Sequence, residues 1–131
     1  MFNNDIFFSF IFSCCIYYNP SKVNKKQIKQ LFYTFPFFLS NIKDQNIFFE
    51  TIVKYPITSY YDSSKNMIHY SYIIYRDYHK KIKKNYLNEI EYISYYNKLI
   101  YENKDYNYKT KINNFLFLLL IIICFYFIYA Y

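Results

Sequence analysis

The residues able to do chemistry are few in this chain, and their spacing argues against a catalytic centre. His69 and His79 lack the paired partners of a zinc site, and the adjacent Cys14 and Cys15 have no ligand spacing, with Cys124 far off in an apolar run. Glu89 and Glu91 form the closest carboxylate pair, yet two-apart spacing on a helix points them in different directions. Glycine is absent altogether. With it go the P-loop and the G-x-G-x-x-G turn, whose backbone must approach phosphate with no Cβ in the way. No catalytic, cofactor-binding or metal-binding residue is therefore expected, no cofactor is implied, and the chain reads as a non-enzyme. The structural roles expected instead are a solvent-facing strand position for His69 and a buried strand for Cys14 and Cys15, with palmitoylation as the alternative for these cysteines near a membrane.

Lysine is the other reactive resource. Lys22, Lys25, Lys26 and Lys29 gather in one stretch, and Lys80, Lys81, Lys83 and Lys84 in another, within a formal net charge of +7. Solvated faces are the first reading, contact with anionic lipid the second and nucleic acid the last. The charge is discounted because composition is skewed throughout. Trp is missing along with Gly, Arg and Ala occur once each (Arg76, Ala130), and Tyr reaches 20 and Phe 15. The depleted residues have GC-rich codons and the enriched ones AT-rich codons, which points to an extremely AT-rich genome.

The elements that would carry these residues follow from apolar patterning and breakers. Ile6 to Tyr18 is an aromatic and β-branched run ending at Asn19-Pro20, expected as a long buried strand, with a signal or anchor sequence as the alternative. Ile28 to Phe35, closed by Pro36, is expected as its antiparallel partner. Ser40 and Asn41 can cap a helix carrying Asp44 in its first turn and Ile42, Phe49, Ile52 and Val53 on one face, as far as Pro56. Ile57 to Tyr61 and Met67 to Tyr75 are expected as two strands around the polar turn Asp62 to Asn66. From Asp77 to Lys104 the recurrence of Ile82, Tyr86, Ile90, Ile93 and Ile100 predicts a helix. The order describes an α+β domain with helices on an antiparallel sheet.

Particular strings extend that reading. Ile16-Tyr17-Tyr18-Asn19-Pro20 closes the first strand candidate, Lys29-Gln30-Leu31-Phe32-Tyr33-Thr34-Phe35-Pro36 forms the second, and Phe49-Glu50-Thr51-Ile52-Val53 lies in the helix. Together they resemble the first longin domain of the family that holds the calcium-caffeine-zinc sensitivity protein, Inturned and the Hermansky-Pudlak type-four protein. The resemblance covers residues 6–104 and implies a longin-like sheet with packed helices. It also implies a non-enzymatic platform in vesicle-mediated transport, with a second longin subunit and a small Rab-type GTPase as partners and a possible place in a guanine-nucleotide exchange factor. Ile16, Leu31, Phe32 and Tyr33 match fold positions; no contact residue is carried over.

The C-terminal end is the strongest physical signal. No charged residue follows Lys111, and Phe115 to Tyr131 is almost wholly apolar. Residues 1–104 are thus expected as the domain, 105–114 as a linker and 115–131 as a membrane tail anchor, close to the lower length limit for a spanning helix. Its lipid-facing residues would be Phe115, Leu116, Leu118, Leu119, Leu120, Ile121, Ile122, Ile123, Phe125, Phe127 and Ile128, with Tyr126, Tyr129 and Tyr131 in an interfacial belt. The alternative is that Leu116 to Tyr129 belongs to the domain itself. Lys109 and Lys111 precede the run and nothing basic follows it, which orients the domain to the cytosol on an endomembrane. A second function class remains, a small integral membrane protein or accessory subunit of a membrane complex. Ile6 to Tyr18 separates the two: a strand there supports the longin, a helix the membrane protein.

Overall fold

The computed structural model describes residues 4–39 and 41–102, and the chain divides into two units, Met1–Tyr96 and Asn97–Tyr131. In the first unit the described residues form α1 (Asn4–Ile16), α2 (Lys22–Thr34), α3 (Ile42–Lys54), α4 (Ser64–Lys81) and a helical stretch at 89–96, termed α5. Tight 3₁₀ turns occupy Phe35–Phe38 and Ile57–Ser59. In the second unit residues 97–102 are described; they are helical, and Lys98 pairs with Glu102 one turn on at 3.6 Å.

No strand occurs among the described residues, so the expected α+β longin-like sheet is corrected to a helical architecture. Ile6 to Tyr18 lies mostly in α1, Ile28 to Phe35 in the end of α2, and Met67 to Tyr75 in the middle of α4. The single long helix expected from Asp77 to Lys104 is divided, because α4 ends at Lys81 and helix resumes at 89. The linker 105–114 and the anchor residues Phe115 to Ile128 lie outside the described residues. Among the described residues no helix is long and apolar enough to cross a membrane.

Local chemistry explains the helices. Each start after the first carries a side-chain cap that satisfies an otherwise orphaned amide. Ser21 Oγ accepts from the Asn24 amide at 3.0 Å, Asn41 Oδ1 from Lys43 at 2.9 Å and Ser63 Oγ from Asn66 at 3.1 Å. Asn88 and Glu91 cap α5 reciprocally, each side chain accepting from the other's backbone N–H at 3.0 Å. Pro20, Pro36 and Pro56 all fall outside the α-helices, where their missing N–H groups do no harm.

The strand reading failed because a nearly continuous apolar run, interrupted only by Ser9 and Ser13, satisfies both periods. In α1 the buried residues are Phe7, Phe8, Ile11, Phe12 and Cys15, a helical spacing, but Ile6, Phe10 and Ile16 between them are apolar too. The abundant phenylalanine and tyrosine thus imitate β-propensity.

The core surrounds α4, which packs against α1 and α3. Phe8 of α1 places its ring 5.2 Å from Tyr75, 5.5 Å from Tyr78 and 5.4 Å from His79, all on α4. Phe12 reaches Tyr92 of α5 at 5.6 Å, and Tyr92 lies 4.8 Å from Tyr75. On the other side Phe7 meets Phe48 of α3 at 5.3 Å, and Phe32 of α2 meets Tyr70 at 5.4 Å. Ser64 at the start of α4 donates to the terminal carbonyls of α1 at Cys15 and Ile16, both at 3.4 Å.

Without glycine, α4 ends at a cost. The Lys84 amide donates to the His79 carbonyl and the Lys83 amide to that of Lys80, closing a Schellman turn with Lys83 at φ 55°. That left-handed position favours glycine, since a Cβ there crowds the neighbouring carbonyl. Lys83→Gly is therefore expected to stabilise the chain by roughly 1 kcal/mol, read as a higher midpoint in urea unfolding; a lower midpoint would show that the Lys83 side chain contributes more than the strain removes.

Candidate functional site

The first unit carries several clusters of paired polar side chains. Their strongest assembly joins α3 to α4. Asp77, 6% exposed, receives Lys54 Nζ at 3.4 Å and Lys81 Nζ at 3.4 Å. Thr51 Oγ1 stands 2.8 Å from both Asp77 Oδ2 and the Ile47 carbonyl, and shares one proton between two acceptors. Burial alone would raise the Asp77 carboxyl, but the Thr51 hydroxyl and the Lys81 and Lys54 ammoniums hold it below the ordinary carboxylate range. Lys81 also pairs with Glu50 at 3.1 Å, and Tyr78 donates to Asp44 at 3.0 Å. Every acid here is occupied by a partner on the facing helix, so the cluster ties two helices and offers no free base.

His79 sits in the last turn of α4, not on a surface. Its Nδ1–H donates to the Tyr75 carbonyl at 2.7 Å, Phe8, Tyr75 and Tyr78 surround the ring, and burial pushes its pKa down. His69 is exposed as expected, but on a helix: its Nδ1 lies 2.6 Å from Glu89 Oε1. The pair edges an open groove of about 520 Å³ lined by Ser64, Asn66, Ile68 and Ile93 among others. An imidazole–carboxylate pair could move a proton, yet Ser64, the hydroxyl lining the same groove, donates to the end of α1. Glu91, which the spacing separated from Glu89, is used as a helix cap.

The cysteines share a helix instead of a strand. Cys15 is fully buried and Cys14 partly so; both are free thiols, and burial raises both above the ordinary thiol value, which suppresses the reactive thiolate. Among the described residues no group of three or more His, Cys, Asp or Glu side chains could hold a metal ion. Of the positions matched to the longin pattern, Phe32 is core, Ile16 and Leu31 are half-buried, and Tyr33 is exposed.

The unusual feature lies on the outside. The expected single apolar face of α3 is split: Ile52 is fully buried with Ile47, Phe48 and Thr51, whereas Ile42 is 73% and Val53 76% exposed on the opposite side. Phe49 shares that outer side and lies against Phe37, ring to ring at 5.2 Å. Phe37 and Phe38 of the Phe35–Phe38 turn are themselves 67% and 75% exposed. The turn continues directly from α2, whose exposed residues include Lys22, Lys26, Lys29 and Tyr33, one helical stripe flanking the buried Ile28 and Phe32. Sequence reasoning missed this surface, although Phe37-Phe38 beside a proline was a visible signal, because it gave these two residues no role and put Ile42 and Val53 on the same helix face as Ile52. Exposed apolar side chains of this size, with Phe37 against Phe49, on elements that also carry exposed lysines are candidates for an interaction surface.

No family model, curated protein or solved structure matches this chain.

Proposed function

We propose that this chain is a non-enzymatic, membrane-associated helical module, an accessory component of a membrane assembly. The observation that carries the reading is α1: Ile6 to Tyr18 was the segment on which the longin platform and the membrane protein differed, and it is helical. A longin platform recruits its partner longin and GTPase through unpaired sheet edges, and no sheet occurs among the described residues. That reading is therefore not carried forward. Two further features support membrane association. α1 is apolar on nearly all sides and leaves Ile6 68% and Phe10 44% exposed, and the uncharged run Phe115 to Tyr131 offers ample hydrocarbon-seeking surface. The cytosol-facing orientation follows from Lys109 and Lys111 before that run.

Carbonate extraction tests the proposal. The full-length chain is expected to stay with the membrane pellet, and a version ending at Lys111 to be released. Release of both alike would remove the membrane assignment.

A further inference from the structure

We propose that α2, the Phe35–Phe38 turn and the outer side of α3 form a docking surface for anionic phospholipid headgroups, with Phe37 and Phe38 entering the acyl boundary. This inference rests on the membrane association proposed above and names the contact that the folded unit makes. Three features select lipid. First, two consecutive aromatic side chains stand 67% and 75% exposed on a turn closed by the Leu39 N–H donating to the Pro36 carbonyl at 3.1 Å, and Ile42 and Val53 stand exposed on α3. Phenylalanine on such a surface gains by leaving water for the headgroup–acyl boundary.

Second, the charge beside it has one sign. From Lys22 to Lys43 the chain carries five lysines and no acid. Lys25 is held by Asp62, while Lys22, Lys26 and Lys29 lie on the outward stripe of α2. The acids of α3 are engaged with α4, where Asp44 accepts from the neutral Tyr78 hydroxyl and keeps its charge, and Glu50 is paired with Lys81. Each lysine near an anionic leaflet adds to adsorption, and the stripe places three of them in line.

Third, other occupants fit less well. A second copy of this chain seated symmetrically would bring two lysine stripes into like-charge opposition. For nucleic acid the phosphate-pairing lysines suit and Phe37 and Phe38 could stack a base, but exposed Ile42 and Val53 gain nothing there, whereas the acyl boundary takes aromatic and aliphatic side chains alike.

The test uses the full chain with phosphatidylcholine vesicles, with or without phosphatidylserine. Flotation reports attachment, and hydroxyl-radical footprinting reports the oxidation of Phe37 and Phe38. Flotation with both vesicle types, and protection of the two phenylalanines only when phosphatidylserine is present, is the expected result. Replacing the stripe by K22Q, K26Q and K29Q removes exposed charge only; it is expected to keep the helical circular dichroism and the flotation while weakening docking of this face roughly a hundredfold and abolishing the protection. Flotation without protection at Phe37 and Phe38 would overturn the docking surface and leave membrane association standing. Failure to float with either lipid would overturn both. Protection that grows with protein concentration in lipid-free detergent, or on adding RNA, would assign the surface to a second copy or to nucleic acid and overturn the lipid proposal.

Discussion

Phe8→Ala is expected to cost about 3–5 kcal/mol, a large part of the 5–15 kcal/mol that holds a small domain together. Phe8 has no exposed surface, and its ring meets Phe7 edge-on at 4.9 Å and Tyr75 edge-on at 5.2 Å, with Tyr78 and His79 beside it. Removing it deletes apolar burial, leaves a cavity between α1 and α4, and strips four ring contacts of their partner. The cavity would also adjoin His79, whose ring is kept neutral by burial. Urea unfolding of the full chain in mild detergent measures the loss, with Ile6→Ala, at a residue 68% exposed, as the control expected to change stability by under about 1 kcal/mol. Equal losses from the two substitutions would mean that α1 does not pack through this face.

Asp77→Ala is expected to cost about 2–3 kcal/mol near neutral pH, the worth of charge-assisted hydrogen bonds whose partners must find substitutes. Lys54 remains largely solvated, and Thr51 keeps the Ile47 carbonyl, so the loss stays below that of an isolated buried charge. Asp77→Asn, which retains an acceptor for Thr51, should fall between. The pH dependence identifies the cause. A carboxyl held low in the folded state contributes its full stability above the unfolded value, about 3.9, and loses it as pH falls through the folded value. The gap between wild type and Asp77→Ala should therefore close at acid pH. His79 acts earlier on the same descent. Its folded pKa is depressed, so the unfolded chain takes up the proton first, and stability begins to fall as pH drops below about 6.5. A gap that persisted unchanged below pH 3 would show that Asp77 acts through packing alone.

The legible parts of the fold were those written by one or two residues. The helix from Asn41 to the residues before Pro56 agrees with α3, because a cap and a proline act locally whatever surrounds them. The polar turn at Asp62 to Asn66 was placed within a few residues of the true break, and Ser63 is the cap that starts α4. What failed were the strands drawn from apolar alternation, whereas the helical recurrence of Ile90, Ile93 and Ile100 does fall in helix. Met67 to Tyr75 was assigned a strand from the alternation of Ile68, Tyr70, Tyr72 and Ile74, yet Met67, Tyr70 and Ile74 are equally a helical series, and all three are fully buried. In a chain where 54% of residues are hydrophobic, neither period stands out against the other. The longin resemblance rested on the same aromatic strings and shared their ambiguity.

Which of the apolar side chains stay outside was illegible for a different reason. Whether Phe49 or Phe48 faces the core is fixed by where α4 lies, not by the residues themselves; Phe48 meets Phe7, and Phe49 is left to Phe37 on the outside. The same holds for Asp77. Its sequence neighbours give no hint of a buried carboxylate, and only the approach of α3 supplies Thr51 and Lys54 from more than twenty residues away.

The sequence by itself determined the breaks and caps and the uncharged run after Lys111, because charge, proline and capping chemistry are properties of single residues and their immediate neighbours. Tertiary structure alone decided that the aromatic runs are helices and that Asp77 is shielded. It also decided that Phe37, Phe38, Ile42 and Val53 remain in contact with solvent, since burial is set by what a residue packs against and a uniformly apolar pattern does not say which side that will be.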